Sequence, residues 1–137
     1  MATKPAQKKS KAAASFGTGV SSGAHATLET HNQSPRKVRL VTELVKGKKI
    51  PAALAALEFL PKRAAEPVAK LLKSAAANAA QQGEKPEELV VKNITVESAG
   101  MLKRYMPRAF GRASLIRRRR SRVHVELAPA SGLTPKA

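Results

Sequence analysis

The chain has no cysteine among its 137 residues. That excludes disulfides, thiolate chemistry and any cysteine-based zinc site. Aromatic residues are nearly absent too, with Phe16, Phe59, Tyr105 and Phe110 the complete set. Proteins that read single-stranded RNA stack bases on aromatic platforms, and this chain has almost none to offer. Long hydrophobic runs are also missing. The longest apolar stretch, Pro51 to Leu57, is far too short to span a bilayer. The first residues carry Lys4, Lys8, Lys9 and Lys11 but no apolar core of signal-peptide type.

Acidic residues are scarce as well. Nine Asp+Glu face 26 Lys+Arg, for a formal net charge of +17. A free globular protein with that excess repels itself, and a polyanionic partner is the usual remedy. Nucleic acid is the first candidate and an anionic membrane surface the second. With so few aromatics, binding is expected through phosphates and shape, using Arg and Lys.

The length suits one compact domain. Residues 1–23 are mostly Lys, Ala, Ser and Gly. They hold too little apolar surface to offset ordering entropy, so a disordered basic arm that settles on RNA is expected. A solubilising tail and an organelle transit peptide are the alternatives. His25 to Gln33 fits a short strand. Ser34-Pro35 is a good helix start, and Val38, Val41, Leu44 and Val45 follow at helical spacing. Gly47 can end that helix. Arg36, Lys37 and Arg39 crowd its first turns, where positive charge opposes the helix dipole. An anion held nearby would resolve the conflict; solvated side chains are the alternative.

A second helix fits Pro51 to Leu60, with Leu54, Leu57 and Phe59 or Leu60 as core candidates, and Pro61 ends it. A third fits Lys62 to Gln82, with an Ala-rich stripe through Ala65, Val68, Ala69, Leu72, Ala76 and Ala79. Asn78 is read as a buried polar residue that hydrogen-bonds a loop, with a plain surface position as the alternative. Leu89 to Glu97 reads as a strand with Val90, Ile94 and Val96 on one face. Ser121 to Leu127 alternates cleanly, with Val123, Val125 and Leu127 on one side. The expected fold is α+β: three helices packed on a small antiparallel sheet, with a long protruding β-hairpin. Residues 24–97, completed by 121–128, form the globular part, and 129–137 a flexible tail.

The link between the last two strands carries the functional signal. From Ser98 to Val125 there is no Asp or Glu. The same stretch holds Lys103, Arg104, Arg108, Arg112, Arg117, Arg118, Arg119, Arg120 and Arg122. Its apolar residues are too few for a core. A connection this long is odd inside a compact domain. Residues 98–120 are therefore expected to project as an extended Arg-rich hairpin arm, ordered by an external partner; a solvated charged loop is the bland alternative. Catalysis has little to stand on. His25, His31 and His124 are scattered without metal-ligand spacing, and Glu84, Glu87 and Glu88 look like a solvated patch. No cofactor and no enzymatic activity are expected.

Three blocks resemble the bacterial-type ribosomal large-subunit protein L-twenty-two family. They are Ser34-Pro-Arg-Lys-Val-Arg-Leu-Val41 with Gly47-Lys48-Lys49, Lys73-Ser-Ala-Ala-Ala-Asn78-Ala79, and Lys103-Arg104-Tyr105-Met106-Pro107-Arg108-Ala109-Phe110-Gly111-Arg112-Ala113-Ser114. The resemblance runs from about His25 to Leu127. It implies a structural protein of the cytoplasmic ribosome, one copy per particle, bound to large-subunit RNA of the 23S type and to neighbouring ribosomal proteins. It implies a role in RNA folding and assembly. It also implies a hairpin that lines the exit tunnel and touches the nascent polypeptide. The implied RNA contacts are Arg36, Lys37, Arg39, Lys48, Lys49, Lys103, Arg104, Arg108, Arg112, Arg117 to Arg120, and Arg122. The hairpin tip is expected at Ala99, Gly100, Met101, Leu102, Lys103, Arg104, Tyr105 and Met106. The chain departs from the family pattern in its basic arm at 1–23, in a first strand without Arg or aromatics, in Ala99-Gly100 where Gly-Pro is usual, and in four consecutive Arg at 117–120. From charge alone a DNA-architectural protein with a basic β-arm fits equally. A nuclease would need clustered carboxylates or histidines near the arm, and these are missing.

Overall fold

The computed structural model describes residues 24–130. The basic arm expected at 1–23 and the tail beyond 130 lie outside the described residues. Strand β1 (His25–His31) leads into helices α1 (Pro35–Val45), α2 (Ile50–Glu58) and α3 (Ala65–Gln81). A short 3-10 turn, Pro86–Glu88, precedes two long strands, β2 (Leu89–Pro107) and β3 (Ala113–Pro129). The strands form one antiparallel sheet in the order β1-β3-β2. This is the expected α+β arrangement of three helices, a small sheet and a long hairpin.

The local chemistry explains the helices. Pro35 begins α1, where its missing N–H costs nothing. Ser34 caps it without a side-chain hydrogen bond. Val38, Val41 and Val45 are buried, but Leu44 is exposed, one position off the apolar stripe. Gly47 follows the helix with φ +77°, a conformation that costs a Cβ-bearing residue about 1–2 kcal/mol. Its N–H donates to Val91 O, and Val91 N–H donates to Lys48 O, so the loop after α1 is pinned to β2. In α2, Leu57 is buried and Leu60, beyond its end, packs on the core; Phe59 is exposed. In α3, Ala65, Val68, Leu72, Ala75 and Ala79 are buried. Pro67 sits in the first turn, where it removes no internal helix bond. Glu66, in the same turn, has its carboxyl held below the usual range by the hydrogen bond from Lys70 and by its charge. Asn78 Nδ2 donates to His25 O at 3.0 Å and ties α3 to β1.

The core lies between the helices and one face of the sheet. Val123, Val125 and Leu127 of β3 supply its centre. Opposite them across the ladder stand Val96, Ile94 and Val91. The register shifts between Val91 and Asn93, which leaves Lys92 as an extra residue. That bulge corrects the expected face of β2. Leu89 and Val91, not Val90, join Ile94 and Val96 in the core, because one extra residue reverses the alternation.

Candidate nucleic-acid interface

Beyond Ser98 and Ser121 the hairpin leaves the domain. From Ala99 to Arg120 no residue is buried, yet the ladder continues from Met101↔Arg119 to Pro107↔Ala113. The arm therefore projects roughly 30 Å, at about 3.3 Å per residue. Directly paired residues share a face of a sheet. One face of the ribbon thus carries Met101, Lys103, Tyr105, Arg117 and Arg119, and the other carries Leu102, Arg104, Met106, Ile116 and Arg118. Cations and apolar groups are mixed on both. Neither face can serve as a core face, and Tyr105, Met101 and Met106 stand exposed among the charges.

The hairpin turn corrects the expected tip. It lies at Arg108–Arg112, not at Ala99 to Met106, which run along β2. Arg108 N–H donates to Arg112 O at 2.7 Å and closes the loop. Inside it, Phe110 (φ 58°) and Gly111 (φ 65°) both take the left-handed conformation that reverses the chain. Phe110 is 97% exposed at the apex. Gly100, expected in the turn, has φ +85° in a second bulge, where Ala99 and Gly100 stand opposite Arg120. A glycine inside a long strand marks such a bulge. This one sits where the arm departs, and bulges bend and twist the strand that carries them.

The remaining basic residues fall into separate places. Lys37 lies near the root of the arm, at the start of α1. Lys48 and Lys49 lie beside Val90 and Val91 at the opposite end of the domain from the arm. Arg122 stands across from Glu97 on the exposed face of the sheet, without an ion pair among the described residues. Arg39 reaches the sheet, and its guanidinium donates to Val96 O at 3.0 Å. Replacing Arg39 with Gln is thus expected to lower stability by about 1 kcal/mol, the worth of one such bond. Thermal unfolding reads this as a fall of roughly 4–8 °C in Tm; an unchanged Tm would show that the bond contributes nothing.

A cavity of about 700 Å³ opens at the root of the arm. Lys37, Arg63 and Arg117 to Arg120 line it, together with Asn32, Gln33, Ser34 and Leu102. No acidic side chain lines it. Nor do the undescribed ends of the chain hold any, because all nine acids lie between Glu29 and Glu126. Two polar atoms beside the bulge, Ser121 Oγ and Arg120 Nε, are buried without a partner among the described residues. Sequence reasoning missed Arg63. The Lys62-Arg63 pair just ahead of α3 was its only signal, and nothing in the sequence places that loop next to residues 117–120.

The structure is a small α+β domain that extends a cationic two-stranded ribbon. The family described as "Ribosomal protein L22p/L17e" matches residues 26–128, and the chain belongs to it. A "Large ribosomal subunit protein uL22" of Herpetosiphon aurantiacus is 48% identical over 103 residues, covering 74% of this chain and 91% of that protein. The protein of the same name from Desulforamulus reducens is 52% identical over 93 residues, 67% of this chain and 82% of its own. That of Geobacter sulfurreducens is 49% identical over 106 residues, 77% of this chain and 96% of its own.

Proposed function

We propose that the protein is a structural, non-enzymatic constituent of the large subunit of a cytoplasmic bacterial ribosome. It binds the large-subunit RNA, helps that RNA fold and assemble, and extends its hairpin along the nascent-peptide exit tunnel. The observation that carries this reading is the arm itself. It has no buried residue, it bears cations on both faces, and it lacks an acid from Ser98 to Val125. A ribbon of that kind suits a place with phosphates on every side. Lys103, Arg104, Arg108, Arg112 and Arg117 to Arg120 are its phosphate contacts, with Arg36, Lys37, Arg39, Lys48, Lys49 and Arg122 as further contacts nearer the domain. The turn at Arg108–Arg112, with Phe110 at its apex, is the part that comes nearest the nascent chain, and Ala99 to Met106 line the approach. Neighbouring large-subunit proteins complete the surroundings of the single copy.

Binding to large-subunit RNA tests this directly. About eight phosphate contacts should give a slope of roughly −6 to −7 in log affinity against log salt. The protein should also sediment with the large subunit in a sucrose gradient. Salt-independent binding, or a clear preference for duplex DNA over the ribosomal RNA, would count against it.

A further inference from the structure

Phe110 occupies the apex of the arm against two local preferences. It is 97% exposed, so its ring gains nothing by burial. Its backbone, at φ 58° and ψ 36°, lies in the left-handed region, where a bulky side chain is an outlier. Arg112 N–H donates to Ala109 O across the turn, and both central residues, Phe110 and Gly111, have positive φ. That is the type I′ arrangement, which favours Asn-Gly, Asp-Gly or Gly-Gly. One of only four aromatic residues in the chain thus holds a position that asparagine or glycine fills with less strain. Two further bonds fix the loop beneath it. Arg108 N–H donates to Arg112 O at 2.7 Å, and Arg108 Nε donates to Ser114 Oγ at 3.2 Å. Nothing within the fold compensates the strain, so the ring's use lies in what it meets outside.

Charge selects the ligand. Arg108 and Arg112 flank the apex, and no acid lies between Ser98 and Val125. A matching ligand brings a flat apolar surface and a negative charge together. An unpaired nucleotide always does, whereas a polypeptide does so only where its sequence happens to combine them. We infer that Phe110 stacks on an unpaired base of the large-subunit RNA, with the guanidiniums of Arg108 and Arg112 beside the phosphates of that nucleotide. The inference rests on the RNA-binding reading and goes beyond it. The cations of the arm meet phosphates whether the bases are paired or not, whereas the apex selects a base free of its partner.

Filter binding and fluorescence on the full chain test this, with a large-subunit RNA transcript and a long RNA duplex as probes. Phe110→Asn keeps the chemistry the turn prefers and removes only the ring. It should bind the transcript about 10-fold more weakly, the scale of one lost base–aromatic stack. Its salt slope should be unchanged, because no phosphate contact is lost. Its Tm should be equal or higher, which separates the effect from misfolding. Phe110→Trp should keep the parent affinity. The chain has no tryptophan of its own, so the new indole reports the apex alone. Its emission should be quenched by the transcript and not by the duplex, which offers phosphates without unpaired bases. If Phe110→Asn binds as tightly as the parent and the indole emission does not change, the ring faces something other than RNA, such as the passing polypeptide. The inference is then overturned while the RNA-binding reading stands. Equal quenching by the duplex, or a loss of affinity with a shallower slope, would overturn it as well. A flat salt response of the unaltered chain would bring down the RNA-binding reading itself.

Discussion

Glutamine at all four positions of Arg117–Arg120 is expected to weaken binding to large-subunit RNA about 10²-fold at physiological salt. Each lost single-strand phosphate contact flattens the salt slope by about 0.7, so four contacts flatten it by about 2.8. Carried from 1 M to 0.15 M salt, that change is worth about two decades of affinity. Arg117 and Arg119 stand on one face of the ribbon and Arg118 on the other, so the loss falls on both faces. Lysine at the same positions separates charge from geometry. It keeps the slope but loses the planar guanidinium fork, and so should bind more weakly at an unchanged slope. Filter binding across a salt series reads both quantities. A glutamine variant with the parent slope would show that these arginines do not meet phosphates.

The second large effect lies in the core. Leu72 is wholly buried near the middle of α3, the helix that packs on α2, β1 and β3. Leu72→Ala removes its buried methyl groups and leaves a cavity the helix cannot close, at a cost of about 3 kcal/mol. For a domain of this size that is roughly 10–20 °C in Tm. It is also a large share of the 5–15 kcal/mol typical of folded domains, in a chain already strained by its net charge of +17. Thermal unfolding of the free protein measures it. Saturating RNA should restore much of the loss by mass action. A fall below about 3 °C would mean that α3 is not the keystone its burial indicates.

Helix α1 was legible because its signals are local. Ser34-Pro35 starts it, a valine stripe directs it, and Gly47 closes it, all within one short window. The alternation of Val123, Val125 and Leu127 marked β3 in the same way. The face of β2 was not legible, because the bulge at Lys92 depends on how β3 pairs with it and nothing in Leu89-Val90-Val91 announces it. The turn was misplaced for a related reason. Gly100 resembles a turn residue, but the ladder fixes Ser98 opposite Ser121, and the midpoint of that interval falls at Ala109–Phe110. The cationic composition of the site could be read, whereas its cavity could not. Asn32 with Lys37, Arg63, and Arg117 come from three separate stretches of the chain, and only the packing of helices on the sheet joins them.

Because β3 is a single strand from Ala113 to Pro129, the arm has no hinge on that side. Its outer half lies in the ribbon and its inner half at the centre of the sheet, flanked by both other strands. A pull on the tip therefore runs along β3 into the core and loads its interstrand hydrogen bonds in shear. Those bonds lie perpendicular to the strands, so they resist together instead of opening one after another. The fold anchors the arm as a tension member, and a tug at Phe110 is resisted at Val123, Val125 and Leu127.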